Sequence, residues 1–356
     1  MPSAIIDFNP EYLHRFCGAD FGLRYHTDPL YREEQDGAVA AALRQRFPEY
    51  PSLFPAPEER VEIGWGLQPL DFLNAARGAR MAYASDAAIQ SIDRSLARLD
   101  CPAAIMAEPD IDWDQNPVWR DLLRQIGQLR CRYPGRKVTW VQSMVIPDRS
   151  ARRGGLSLHS PYTTAFRLLG EDIFLLMYEE PETAEMLFDY IYRQYRRSFE
   201  RAAALFDCRL DYIHFGDCAA TMLSPELFAR YNLKFMQRCA AADRVAIHWH
   251  SCGPSTHLLP LAAEIPNLRR AELGAHTDLK LARRLLPQAE ILAYYSAGEL
   301  LNQTPDEVER HFQVMCEALE DRFILCASSV DSATDPASLD RYLALAEKLN
   351  RSFRAA

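Results

Sequence analysis

From about residue 136 onward, short apolar runs recur along the chain: Val138–Val141, Leu210–Phe215, Val245–Trp249, Leu268–Leu273, Ile291–Tyr294 and Phe323–Cys326. Each is four to six residues long and rich in Val, Ile, Leu or aromatic residues. That is the pattern of strands buried on both faces of a parallel sheet. The last five runs are separated by segments of helical character. Ser224-Pro225-Glu226 marks one helix start, with an N-cap and a proline at the first helical position. Thr304-Pro305-Asp306-Glu307 marks another and adds a Thr-x-x-Glu capping box. Glu180-Pro181 and Asp335-Pro336 have the same form. Between Glu182 and Leu205, Met186, Leu187, Tyr190 and Ile191 fall on one side of a helix, and Arg193, Arg196, Arg197 and Glu200 largely on another.

The first 80 residues lack this regularity. Helical stretches are expected near 31–47 and 70–98, and YPSLFPAPEER at 50–60 reads as loop. Alternating strands and helices make the chain α/β with a parallel sheet. Five successive units of 20 to 35 residues favour a closed (β/α)8 TIM barrel over residues 81–356, with residues 1–80 as an irregular, partly helical N-terminal extension packed on it. A doubly wound open sheet is the alternative. Against it, no G-x-G-x-x-G follows a strand and no G-x-x-x-x-G-K-[ST] occurs.

Composition narrows the function. The 40 Lys and Arg against 49 Asp and Glu give a net charge of -9, which argues against unpatterned nucleic-acid binding. No run approaches the roughly 18 apolar residues of a membrane helix. The start, MPSAIIDFNPEYLHRF, is not a secretory signal. The nine cysteines are odd in number and scattered, which fits a reducing cytoplasm better than a disulfide framework.

In a barrel, chemistry sits at the C-terminal ends of the strands. Gathered there are Gly216, Asp217 and Cys218; His250, Ser251, Cys252 and Gly253; Glu272; Tyr295 and Ser296; and Cys326. His250-x-Cys252 is the sharpest local feature, because two ligands at a strand end can reach one ion and zinc favours N and S donors. Cys326 at another strand end is the third candidate ligand. Glu272 is a candidate fourth that an incoming substrate displaces. Asp217 is read as a carboxylate that orients a ligand, positions a substrate or acts as a base, against the alternative of a loop cap. His248 is expected below the site, and His257, His276 and His311 in or beside helices. No G-x-S-x-G elbow supports a serine hydrolase.

These segments resemble the uroporphyrinogen decarboxylase superfamily over residues 155 to 350. His159-Ser160-Pro161-Tyr162-Thr163-Thr164-Ala165-Phe166 with Leu169-Gly170 is similar to the family's G-P-[FY]-T segment. Glu179-Glu180-Pro181-Glu182, Phe215-Gly216-Asp217 through Ser224-Pro225-Glu226-Leu227-Phe228, and Asn302-Gln303-Thr304-Pro305-Asp306-Glu307 match further blocks in order. The resemblance implies a (β/α)8 barrel. The decarboxylases' R-Q-A-G-R-Y-like motif has only Gly22-Leu23-Arg24-Tyr25 as its nearest match here, with Tyr31-Arg32 following, so Arg24 and Arg32 become candidates for an anionic substrate. The zinc-containing methyltransferase branch, with the methylcobalamin:coenzyme M methyltransferases, has H-x-C, a Glu about twenty residues on, and a distant Cys. His250, Cys252, Glu272 and Cys326 follow that order. Two features depart from it: Leu325-Cys326-Ala327-Ser328-Ser329 replaces a P-G-C-G-like turn, and Ser296-Ala297 replaces Gly-Asn.

The resemblance implies a Zn2+-dependent methyl or alkyl transferase acting on a small-molecule thiol, with a methylated corrinoid, a docking corrinoid protein or a pterin as donor. Asp217, His214 and Tyr162 are the positioning candidates, and Tyr295 and Ser296 join Arg24 and Arg32 as substrate-binding candidates. The alternatives are a metal-free decarboxylase or lyase acting on a polycarboxylate, and a barrel that binds metal or a corrinoid partner without turnover.

Overall fold

The computed structural model describes residues 1–55, 62–65, 69–91, 101–140, 155–206 and 210–354. Among them are eleven strands: β1 (Ser3–Phe8), β2 (Glu62–Trp65), β3 (Met81–Ala84), β4 (Ala87–Ser91), β5 (Lys137–Trp140), β6 (Gly155–His159), β7 (Tyr212–Gly216), β8 (Ala246–Ser251), β9 (Leu268–Leu273), β10 (Glu290–Tyr295) and β11 (Phe323–Val330). Seven form one sheet in the order β1-β11-β10-β9-β8-β7-β6. Every neighbouring pair in it is parallel.

Six strands thus run in chain order and the first returns beside the last, as strands of a barrel do. The closed eight-stranded barrel expected from the sequence is not what the described residues form. Among them no eighth strand joins β1 to β6, and β5 pairs instead with β2 in a parallel sheet of its own. The fold is therefore a mixed α/β structure built on a seven-stranded parallel, half-barrel sheet.

All six expected strands begin within two residues of their predicted starts. Val141, the last residue of the first run, lies outside the described residues. β11 continues four residues past Cys326 because its outer half pairs with β1. Ser3–Phe8, inside the segment read as irregular, is the edge strand of the main sheet, and its burial alternates residue by residue. The helix expected at 70–98 ends early. Pro69–Ala76 is helical, Gly78 takes φ +87°, and β3 and β4 follow as an antiparallel hairpin. Residues 92–98 of that expectation lie outside the described residues.

The helix starts occur where expected. Thr304 and Glu307 cap Pro305–Leu319 reciprocally. Pro181–Phe206 buries Leu187, Tyr190 and Ile191. The helix after Ser224 carries a π-helical turn at Phe228–Leu233 before continuing as Lys234–Asp243. The main core lies between the sheet and these helices, with Phe215, Trp249 and Tyr295 fully buried in it. A second cluster joins Phe72, Trp113, Trp119, Leu129 and Val138. No helix among the described residues is long and apolar enough to cross a membrane.

Candidate metal centre

Side chains alternate across a strand, so residues flanking the buried Phe215, Trp249 and Tyr295 face the other side of the sheet. That inner face carries His214 on β7, His250 on β8, Glu272 on β9 and Tyr294 on β10. His250 is in register with Gly216 and Glu272. Glu272 Oε2 lies 2.8 Å from His250 Nδ1 and Oε1 lies 3.8 Å from His214 Nδ1. The Tyr294 hydroxyl is 3.3 Å from both Glu272 Oε2 and His250 Nδ1. With Nδ1 engaged by the carboxylate, Nε2 is the nitrogen left to face the rim.

Two thiols meet His250 at that rim. Cys252 follows the end of β8, and Cys218 opens the 3-10 turn Cys218–Met222 after β7. Ligand atoms of Cys218, His250 and Cys252 all lie within 4.8 Å of one another, and so do those of His214, His250 and Glu272. Backbone bonds fix the rim: the Asp217 amide donates to the His250 carbonyl at 2.7 Å, and the Gly274 amide donates to the Ser251 carbonyl at 2.7 Å. Gly274 packs directly on the Cys252 peptide, and a Cβ there would lie 2.2 Å from the Cys252 carbonyl oxygen.

The electrostatics are those of a coupled site. Burial pushes Glu272 up, but His214 and the hydrogen bond and charge of His250 outweigh it and hold the carboxyl at about 2. Burial works against the His250 imidazolium, yet its bonds to Cys218, Cys252 and Glu272 raise it well above the usual value. Cys252 is lowered by its hydrogen bonds from Cys218 and His250, and Cys218 is raised by its bond to Cys252 and by burial. His214 is lowered, chiefly by burial. Two sulfurs and one imidazole nitrogen match the Cys2His donor set of catalytic zinc sites, which keep a fourth position open. Glu272 stands where a carboxylate would orient His250 if it held a metal.

Of the residues singled out from sequence, the structure brings His250, Cys252, Glu272 and His214 together. Cys326 lies outside the thiol group: its sulfur faces Asp7 Oδ1 at 3.9 Å. The cause is depth, since β11 runs on past Cys326 whereas Cys252 lies just beyond the end of β8. Cys218 is the second thiol near His250 and Cys252. Asp217 points to the far side of the sheet with Trp249. There it accepts from Ser160 at 2.6 Å, from Asn232 at 2.7 Å on both oxygens, and from Thr163 and Trp249 at 3.4 Å. Tyr162 is buried in the pocket behind the sheet that Asp217 and Asn232 also line. The Asp217 carboxylate makes no cap bond to the turn it precedes and instead ties β7 to its neighbours through Ser160 and Asn232.

The substrate-binding candidates have structural engagements. Tyr295 is fully buried, bonds Gln303 and packs on Tyr342. Ser296 caps the helix Ala297–Asn302. Arg24 is exposed, pairs with Asp28 at 3.4 Å and stacks over Tyr31. Arg32 is buried and bonds Gln125 at 3.3 Å. Sequence reasoning missed the roles of Tyr294, Cys218, Asp7 and His159. His159, level with Gly216, is driven down to about 3 by burial, with His250 and His214 nearby adding to it. Tyr294 differs from Tyr295 only by strand parity, the one signal that could have found it.

Comparison with known proteins adds a family. The family described as Uroporphyrinogen decarboxylase (URO-D) matches residues 156–343, just over half of the chain. No curated protein matches the chain in sequence. Among solved structures, a methyltransferase from Methanosarcina mazei superimposes with a TM-score of 0.57 at 15% identity, covering 96% of this chain and 91% of that one. A protein described as a vitamin-B12 independent methionine synthase from Listeria monocytogenes gives a TM-score of 0.37 at 12% identity, covering 55% and 64%.

Proposed function

The chain belongs to the uroporphyrinogen decarboxylase family, and from that premise and its thiol-rich rim we propose that it is a metal-dependent transferase that moves a methyl or other small alkyl group onto a substrate thiol. The observation that carries this reading is the convergence of Cys218, His250 and Cys252 with Glu272 behind the imidazole. Those three residues would hold a Zn2+ ion through two sulfurs and His250 Nε2. When bound, the ion would favour the thiolate form of a substrate thiol in its open position.

The protein's own residues do the rest. Glu272 accepts the Nδ1 proton of His250, which fixes the tautomer and turns Nε2 outward. Tyr294 donates to the same carboxylate oxygen and limits its rotation. Gly274 leaves room for the Cys252 peptide. The uncharged imidazole of His214, beside Glu272, takes the proton that the thiol releases. The donor is read as a methylated corrinoid or pterin, on the strength of the resemblance, and the likeness of fold to the Methanosarcina mazei methyltransferase is in keeping with it. A polycarboxylate decarboxylase draws less support, because Arg24 is exposed beside Asp28 and Arg32 is buried against Gln125.

Metal analysis of protein purified without added metal tests the proposal. About one zinc per chain is expected. Cys218→Ser and Cys252→Ser lose it together with alkyl transfer to a thiol such as coenzyme M, while Cys326→Ser keeps it. Alkyl transfer by a metal-free wild-type protein would sink the proposal. Zinc retained in Cys218→Ser but lost in Cys326→Ser would return the third ligand to Cys326.

A further inference from the structure

The two rim thiols invite a second chemistry. Gly216, the last residue of β7, is in register with His250 on β8, so Cys218 and Cys252 each follow a paired position by two residues as the chain leaves the sheet. The two segments are tied at that level by the Asp217 amide on the His250 carbonyl. The two sulfurs already lie within 4.8 Å of each other. Access differs among the thiols: Cys252 is exposed and Cys218 is half-buried, whereas Cys326, deeper in the same face, is buried.

We propose that Cys218 and Cys252 form a reversible disulfide when a peroxide reaches the rim, and that this bond disassembles the metal centre. The bond itself needs only the thiol pair, while its consequence for metal rests on the function proposed above. The Cys252 sulfur attacks the peroxide, an S–O bond forms and the O–O bond breaks. The departing hydroxide takes up a proton and leaves as water. The Cys218 thiol then attacks the Cys252 sulfur, an S–S bond forms, the S–O bond breaks and a second water leaves with the thiol proton. Each sulfur gives up one electron and the peroxide is reduced to two waters. A disulfide has no thiolate to offer a metal, so His250 alone remains of the three donors. A dithiol such as dithiothreitol reverses the step by exchange.

The experiment treats zinc-loaded and chelator-stripped wild-type protein with hydrogen peroxide, then maps peptides after alkylation and follows released zinc with a chromogenic chelator. The expected result is a peptide linking Cys218 to Cys252, with intact mass lower by the two hydrogens lost. Zinc release keeps pace with the bond, and dithiothreitol restores both thiols and rebinding. In Cys218→Ser, circular dichroism checks the fold and dimedone traps Cys252 as a sulfenic acid. If stripped wild-type protein forms no such link, or links other cysteines instead, the proposal is overturned while the metal centre stands. If wild-type protein holds no zinc yet forms the link, the disulfide stands and the metal reading falls.

Discussion

Replacing Asp7 by asparagine isolates one buried charge on the inner face. Asp7 accepts the Ser329 amide at 3.2 Å and lies 3.9 Å from the Cys326 sulfur. Burial raises its carboxyl from 3.8 to about 7, against hydrogen bonds from Ser329, Ser328 and Cys326 that pull the other way. The folded protein therefore holds a proton that the unfolded chain releases. Stability is complete below the unfolded value and is lost as pH rises through about 7. The gap is about three pH units, and at about 1.4 kcal/mol each it amounts to about 4 kcal/mol. Water reaching the mouth trims this to about 2–4 kcal/mol. Asparagine keeps the shape and one acceptor oxygen but carries no charge. Urea denaturation of both proteins, metal-free with chelator present because a nearby cation would lower the carboxyl, is run from about pH 4.5 to about pH 8.5. Near about pH 4.5 Asp7→Asn is already the more stable by about 1 kcal/mol, and by about pH 8.5 the gap has widened to the full amount. A difference that stays constant with pH, or grows towards acid, would refute the assignment of a protonated Asp7.

Three further substitutions separate the site from its scaffold. Glu272→Gln removes the carboxylate behind His250 and should weaken zinc binding about 10- to 100-fold, read by competition with a chelator. Gly274→Ala forces the Cys252 peptide away and should cost about 1–3 kcal/mol in a denaturation curve as well as weakening the metal. Asp217→Ala leaves Ser160, Asn232 and Trp249 facing a lost acceptor, so about 1–3 kcal/mol of stability should go for each donor left unpaired, while zinc content per folded molecule is unchanged.

How much was legible depended on what each residue faces. β10 read clearly because Ile291, Leu292 and Ala293 form an unbroken apolar run, and β8 and β9 were found although His248 and His250, and Arg269, Arg270 and Glu272, interrupt theirs. β1 and β6 lie at the edges and alternate buried with half-buried positions, so Asp7, Ser157 and His159 broke the apolar signal. That His250, Cys252 and Glu272 lie close together was legible because strand-end positions follow from the strand's register. Cys218 was passed over as a ligand because it sits in a 3-10 turn, where no periodicity says which way a side chain points. Asp217 and Tyr295 lie on the core side, one step of strand parity away from the mouth. The capping boxes read true because they are local, each completed within four residues.

The pairing of β1 with β11 also sets an order in time. The Ala4 amide donates to Asn350, 346 positions away, and Ala4 lies in register with Leu325. At about 5–20 residues per second, a ribosome takes roughly 20 to 70 seconds to make the chain between them. For that interval the first strand has no neighbour on its β11 side, and Asp7 has neither Ser329 nor Cys326 to meet. The inner face is thus completed by the first and last strands together, after nearly all the rest has been synthesised. A nascent chain waiting in this state exposes a bare strand edge, so translation that stalls before β11 should leave a protein prone to mispairing and dependent on a chaperone.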